Sequence, residues 1–316
     1  MAHYVVTGGA GFIGSHIVRK LVEEGRQVTV VDNLATGRID NIRPMLKEID
    51  FIEGSVTDEK LMRTVLKRAD YVLHQAAIPS VARSVRDPLK SNEANITGTL
   101  TLLQAAKDAR IKCLTFASSS SIYGNIPKLP KREDFPPDPL SPYAVSKMTG
   151  EHYLRVFARL YNINAVSLRY FNVFGPHQDP TSEYAAVIPK FIRLILRGER
   201  PVIYGDGAQS RDFTYIDNVV SANLLACKNL KGSRGLVANI ACGKRYTLRD
   251  LVKYINEILG TDIKPVFSDP APGDVKHSLA DISAAKKFLK YRPLVDMKEG
   301  LKRTTAWMKE HHDNAR

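Results

Sequence analysis

Along the first half of the chain, short apolar runs alternate with stretches of helical period. His3-Tyr4-Val5-Val6-Thr7 reads as a buried strand. A glycine-rich turn follows, then Ile17, Val18, Leu21 and Val22 recur at helical spacing until Gly25 stops the helix. Gln27-Val28-Thr29-Val30-Val31 reads as a second strand with Asp32 at its carboxyl end. Further strands are expected at Phe51-Ile52, Tyr71-Val72-Leu73-His74, Leu114-Thr115-Phe116-Ala117 and Ala165-Val166-Ser167-Leu168-Arg169, with helical stretches such as Asn95 to Ala109 between them. This alternation predicts an α/β fold, a doubly wound parallel sheet with helices on both faces and ligands beyond the carboxyl ends of its strands. After Asn172 the pattern loosens, with turn-rich segments at Gly175 to Pro180, Gly205 to Gly207 and Asp269 to Gly273, so 173–316 is expected to form a smaller mixed lobe. Within it, Phe213-Thr214-Tyr215-Ile216 reads as a strand and Asp217 as the cap of an apolar helix, so about 212–230 should return to the main sheet.

Composition narrows the class. The chain has 316 residues, 44% apolar and 25% charged, as an ordinary globular protein does. Its formal charge of +13 is spread along the sequence, which suits anionic small ligands better than nucleic acid. Lys128 to Arg132 and Lys286 to Lys290 are expected to be solvated faces. Cys113, Cys227 and Cys242 form no C-x-x-C pair, so buried thiols are expected, with neither a disulfide framework nor a metal site. Met1 leads directly into a strand and no apolar run is long enough to cross a bilayer, so the expected location is the cytoplasm, with no membrane partner.

Candidate chemistry lies in the turns. Gly8-Gly9-Ala10-Gly11-Phe12-Ile13-Gly14 joins the first strand to its helix, the context of a Rossmann dinucleotide loop. Gly8 allows the tight turn, Gly11 lets the backbone approach a pyrophosphate, and Gly14 allows close packing of helix on strand. Asp32 can accept bonds from the adenosine ribose hydroxyls, which favours NAD over NADP, although Arg38 and Arg43 lie nearby in sequence. Residues 1–172 are therefore read as the NAD-binding domain. Ser141-Pro142-Tyr143-Ala144-Val145-Ser146-Lys147 places a phenol and an ammonium four residues apart on a capped helix. A free tyrosine titrates near about 10, and a desolvated cation beside it would favour the phenolate and make it a base.

Gly8 to Gly14, Asp32, His74-Gln75-Ala76-Ala77, Ser118 to Gly124, Tyr143 to Lys147 and Arg169-Tyr170-Phe171-Asn172 together resemble the extended short-chain dehydrogenase/reductase family over nearly the whole chain. Ala185 to Lys190, Gly205-Asp206-Gly207 and Ser210-Arg211-Asp212-Phe213 resemble its UDP-hexose 4-epimerases, particularly those acting on UDP-N-acetylglucosamine. The resemblance implies that Ser119 bonds the sugar O4, with Ser120 able to share that role. It also implies that Tyr143 is the general base and that Lys147 holds the nicotinamide ribose. It implies cofactor contacts from Phe12, Ile13, Asn33, Thr36, Gly37, Gln75, Ala76, Ala77, Asn95, Tyr170 and Phe171. Ser55 and Val56 stand at the adenine, where relatives often carry an aspartate at the first of these positions. For UDP-sugar it implies contacts from Ser80, Asn172, Ala186, Val187, Lys190, Tyr204, Arg211, Asp274 and Ser278. Ala271 stands where a second phosphate arginine is usual, with Lys276 or Arg245 as candidate replacements. Ser278 aligns with a gate residue that is bulky and aromatic in enzymes confined to glucose and galactose, so an N-acetyl group should fit beside it.

The expected activity is NAD-dependent inversion at C4 of a UDP-N-acetylhexosamine, and of UDP-glucose and UDP-galactose as well, through a transient 4-keto sugar. Alternatives are a UDP-glucose 4-epimerase without N-acetyl preference and a UDP-glucuronate 4-epimerase or decarboxylase. A 4,6-dehydratase would need an acidic pair where Ser120 and Ser121 stand. A non-catalytic binding protein and a plain dehydrogenase complete the set. A homodimer is implied, with Asn95 to Ala109 and Tyr143 to Tyr161 forming a shared helical bundle.

Overall fold

The computed structural model describes residues 1–179, 186–231, 233–269 and 276–311. Strands β1 (His3–Thr7), β2 (Gln27–Asp32), β3 (Asp50–Glu53), β4 (Tyr71–His74), β5 (Cys113–Ser119) and β6 (Ala165–Tyr170) join the strand Leu236–Ile240 in a parallel sheet. The spatial order is Leu236–Ile240, β6, β5, β4, β1, β2, β3. The order reverses between β1 and β4, which are neighbours, and this is the switch point where such sheets bind ligands.

Successive strand residues face opposite cores, as the pleat requires. Tyr4, Val6, Val30 and Leu73 enter one apolar cluster, whereas Val5, Val31 and Val72 enter the other. The first face is covered by α1 (Phe12–Glu23) and the helix Ile216–Lys228. The second is covered by α2 (Glu59–Leu66) and the helices Gly98–Ala109 and Pro142–Tyr161. The two covered faces leave β1 and β6 wholly buried.

The second half differs in detail from the sequence expectation. Among the described residues Thr214–Tyr215 pairs only with Val173–Phe174, and the return to the main sheet is made by the helix Ile216–Lys228 and the strand Leu236–Ile240. Asp217 lies inside the first turn of that helix and pairs with Arg303 at 3.2 Å, while the N-cap is Tyr215. Lys131 is buried and donates its ammonium to the Ile126 carbonyl, so the run from Lys128 to Arg132 is not a uniformly solvated face. Cys113 and Cys227 are buried, Cys242 is half-buried, and all three are free thiols. Among the described residues no helix is long and apolar enough to cross a membrane.

The smaller lobe is built from short strand pairs, Ser210–Arg211 with Tyr246–Thr247 and Val202–Tyr204 with Val266–Ser268. They stand beside the mutually packed helices Val187–Leu196, Leu248–Leu259 and Met297–Glu310. Helix Leu248–Leu259 starts at a reciprocal cap, Thr247 Oγ1 accepting from the Asp250 N–H at 3.0 Å and Asp250 Oδ2 from the Thr247 N–H at 2.9 Å.

Candidate active site

The carboxyl ends of β1 to β6 open on one cleft of about 410 Å³. At β1 the turn demands glycine at position 8, where φ is +69° and a Cβ would stand 2.6 Å from the Ala76 nitrogen. Gly11 is the N-cap of α1 and supplies no side-chain bond. The first amides of that helix therefore remain donors at its positive end, and Gly8, Gly11, Phe12, Ile13 and Gly14 all line the cleft.

At β2, Asp32 Oδ2 accepts from the Ala10 N–H at 3.0 Å and Oδ1 from the Leu34 N–H at 2.8 Å. Burial raises its pKa and these two bonds oppose the rise. Each oxygen keeps acceptor capacity for a ribose hydroxyl. A side chain at Gly37 would press on the carboxylate, since a Cβ there would lie 2.8 Å from Oδ2. Arg38 and Arg43 are engaged with Asp179 at 3.0 Å and Asp40 at 2.6 Å. Both cations thus have carboxylate partners, in keeping with an unphosphorylated ribose beside Asp32.

Asn33, Thr36, Ser55, Val56, Gln75, Ala76, Ala77 and Tyr170 also line the cleft. The Ser55 and Thr57 hydroxyls share a 2.7 Å bond. The Tyr170 hydroxyl donates to Gln75 Oε1 at 3.1 Å and accepts from Asn223 Nδ2 at 2.8 Å, which fixes the wall beneath β6. Two residues expected at the cofactor lie behind this surface. Asn95 is buried and clamps Ile78, accepting from its N–H at 2.8 Å and donating to its carbonyl at 3.2 Å. Phe171 is fully buried against Tyr123, ring centroids 6.0 Å apart, and supports the wall without lining it.

Tyr143 and Lys147 project from the helix Pro142–Tyr161, whose N-cap Ser141 accepts from the Ala144 N–H at 3.1 Å. Lys147 is only 3% exposed, and its Nζ lies 5.7 Å from the Tyr143 ring centroid and 5.0 Å from that of Phe116. It makes no hydrogen bond to any described residue. Burial lowers its pKa to about 7. Burial also raises the Tyr143 phenol, against a lowering hydrogen bond from Ser119. The expected phenolate beside an ammonium is therefore not what the protein alone favours. Both groups are desolvated together with no carboxylate at Lys147, so both neutral forms gain. Hydroxyls that accept from Lys147 and a positive ring beside the phenol would reverse that preference. A nicotinamide riboside provides both, and the uncapped helix start, Asp32 and the unpartnered ammonium together fit NAD.

Ser119 ends β5, its oxygen accepting from the Ser121 N–H at 3.1 Å and the Ser121 hydroxyl at 2.9 Å, and Ser120 opens the next turn. Glu151 extends the Tyr143 and Lys147 stripe by another four residues and was not among the expected site residues. It accepts from Ser118 at 2.5 Å and from Arg169 Nε and Nη2 at 2.8 and 2.7 Å, in an ion pair 4% exposed on each side. Thr57, Ile78, Pro79, Lys90, Glu93 and Ala94 also line the cleft without a motif to announce them.

A second cavity of about 350 Å³ begins at Asn172, two residues beyond Tyr170 of the first. Asn172, Ala186, Val187, Lys190, Tyr204 and Arg211 line it, joined by Gln209, which donates to the Tyr204 carbonyl at 2.6 Å. Asp212 ties its rim together, accepting from the N–H groups of Cys242, Gly243 and Ala280 at 3.0, 3.0 and 3.2 Å. Burial pushes this carboxyl up to about 6. Ser278 is half-buried and its N–H donates to the Ser210 carbonyl at 2.9 Å, which sets it beside Arg211. Ser80 caps the helix Val81–Arg86 outside both linings. Ala271 and Asp274 lie outside the described residues.

Residues 4–241 match the model of the NAD dependent epimerase/dehydratase family. A putative UDP-glucose 4-epimerase of Methanocaldococcus jannaschii is 40% identical over 98% of this chain and 99% of its own length. The solved UDP-N-acetylglucosamine 4-epimerase of Methanobrevibacter ruminantium M1, in complex with UDP-N-acetylmuramic acid, is 44% identical with a TM-score of 0.94, covering 98% of this chain and 99% of that one. The UDP-glucose 4-epimerase of Thermotoga maritima, solved with UDP-glucose, is 42% identical with a TM-score of 0.92 over the same shares of the two chains.

Proposed function

The chain belongs to the NAD dependent epimerase/dehydratase family, and from that premise we propose that it is a UDP-sugar 4-epimerase that accepts UDP-N-acetylhexosamines as well as UDP-glucose and UDP-galactose. The observation that carries this reading is that Tyr143 and Lys147 meet at the wall of the dinucleotide cleft, with Ser119 hydrogen-bonded to the Tyr143 phenol. Beside that wall lies a cavity bearing Lys190 and Arg211.

NAD, when bound, supplies a hydride acceptor at sugar C4 and returns the same hydride. Lys147 would donate to the ribose hydroxyls and hold positive charge beside Tyr143. The Tyr143 phenolate takes the proton of the 4-hydroxyl while Ser119 bonds O4, and the electron pair of that O–H bond becomes the carbonyl. The sugar turns its other face and Tyr143 gives the proton back to O4, leaving the opposite configuration with no net redox change. Arg211, whose planar guanidinium suits phosphate oxygens, and Lys190 would hold the diphosphate during that turn, with Tyr204 beside the uracil.

Ser278 supports the N-acetylated substrates because it is a small, half-buried residue held beside Arg211. Ser278→Tyr is expected to cut turnover of UDP-N-acetylglucosamine by about 10-fold or more while leaving UDP-glucose within a few-fold, the range one filled pocket position commands. Chromatography of the C4 isomers from each substrate measures it, and equal losses on both would remove the N-acetyl assignment.

A homodimer is proposed on exposed apolar residues of three helices that pack together. Val85, Leu89, Val156 and Leu160 are 63%, 82%, 46% and 68% exposed on the helices Val81–Arg86, Pro88–Asn92 and Pro142–Tyr161. Light scattering is expected to give twice the chain mass; a monomeric mass at micromolar concentration would remove this proposal.

A further inference from the structure

The phenol of Tyr143 can act only if its backbone is fixed, and its peptide groups are gripped by two serine hydroxyls, one of them on another helix. Tyr143 lies in the first turn, where N–H groups have no intrahelical acceptor. The Ser141 cap serves Ala144, so the Tyr143 N–H needs another partner. Ser84 Oγ accepts it at 3.0 Å. That same hydroxyl donates to the Val81 carbonyl at 2.7 Å, and Ser84 is fully buried. On the other side the Tyr143 carbonyl accepts from the Ser146 hydroxyl at 2.8 Å, which in turn accepts from Asn95 Nδ2 at 3.1 Å.

Ser84 sits on the short helix Val81–Arg86, whose cap Ser80 holds φ at +99°, a conformation rare outside glycine. Such a backbone persists only where its surroundings over-determine it, and Ser80 is further tied by accepting from the Arg83 N–H at 3.3 Å. The helix is thus a rigid bracket standing between the loop after β4 and the helix of the base.

We propose that Ser84 is a positioning residue for the epimerisation, holding the Tyr143 backbone so that the phenol stays within reach of Ser119 and Lys147. This rests on the epimerase reading above. A hydroxyl is suited to the place because it accepts from one peptide group and donates to another at once.

The test is the steady-state kinetics of NAD-loaded Ser84→Ala and Ser84→Thr. Misplacement of a reacting group on the scale of an ångström costs about 100-fold. For Ser84→Ala, kcat is therefore expected to fall about 10- to 100-fold, with KM for the UDP-sugar and bound NAD within about 2-fold of the parent. Ser84→Thr, which keeps the hydroxyl, should recover most of kcat. The inference is overturned if Ser84→Ala keeps the parental kcat, or if kcat and bound NAD fall while KM rises with them. Should Ser84→Ala not fold, Ser84→Cys, isosteric with a weaker donor, replaces it and must show the same selective fall in kcat. A parent enzyme that interconverts no UDP-sugar would instead remove the epimerase reading itself, so the two failures are distinct.

Discussion

Tyr143→Phe should lower C4 interconversion of UDP-sugars by about 1,000-fold or more while NAD remains bound, because it deletes one oxygen and leaves the ring in place. General acid–base groups contribute about 100- to 10,000-fold, and this one acts on both half-reactions. Three neighbouring groups are poor substitutes: Ser119 is a weak acid, Tyr170 is pushed up by burial to above the ordinary tyrosine range, and His74 is buried, drawn down to about 3, and bonded on both nitrogens at 2.7 and 3.0 Å. The variant is assayed by separating the C4 epimers after single and multiple turnovers, with bound NAD determined on the same sample. Activity within 10-fold of the parent would remove Tyr143 from its assigned role; loss of NAD along with activity would place the effect in binding.

Glu151→Ala should cost the fold about 3–5 kcal/mol, the range for breaking one side of a buried ion pair. The change strands Arg169 at 4% exposure, and Arg169 already has one guanidinium nitrogen, Nη1, without a partner. The Tyr123 ring lies 4.8 Å from the guanidinium carbon. Removing both charges, as Glu151→Leu with Arg169→Met, should recover most of the loss, since an apolar pair of similar volume meets no desolvation penalty. Urea unfolding of the parent and both variants measures the effect, and a Glu151→Ala loss under about 1 kcal/mol would mean the pair contributes little. The pair also underlies the site: Ser118, which donates to Glu151, lines the cleft one residue before Ser119.

The parts of the site that were legible in sequence are those specified by local chemistry. The glycine turn, the acid at the end of β2 and the Tyr143 and Lys147 spacing each express a short-range constraint, a positive φ, a strand end or a helical turn. What was not legible depends on elements far apart in sequence. Glu151 meets Arg169 only because the helix Pro142–Tyr161 lies against β5 and β6. Leu236–Ile240 is a strand of five residues whose pairing with β6 the local pattern does not announce. Phe213 to Ile216 has strand composition, yet only Thr214 and Tyr215 find a partner. Phe171 carried a signal that alternation supplies: with Tyr170 facing the cleft, the next side chain must face away. The mutual burial of Tyr143 and Lys147 is likewise tertiary, and it works against the charged form of each.

The most direct test of the central claim is conversion of UDP-N-acetylglucosamine deuterated at C4 by the NAD-loaded protein in ordinary water. The account predicts the C4 epimer with deuterium kept at C4 and no net accumulation of NADH, because hydride leaves and returns within one complex. Absence of the epimer, or its formation with deuterium exchanged for solvent hydrogen, would contradict it.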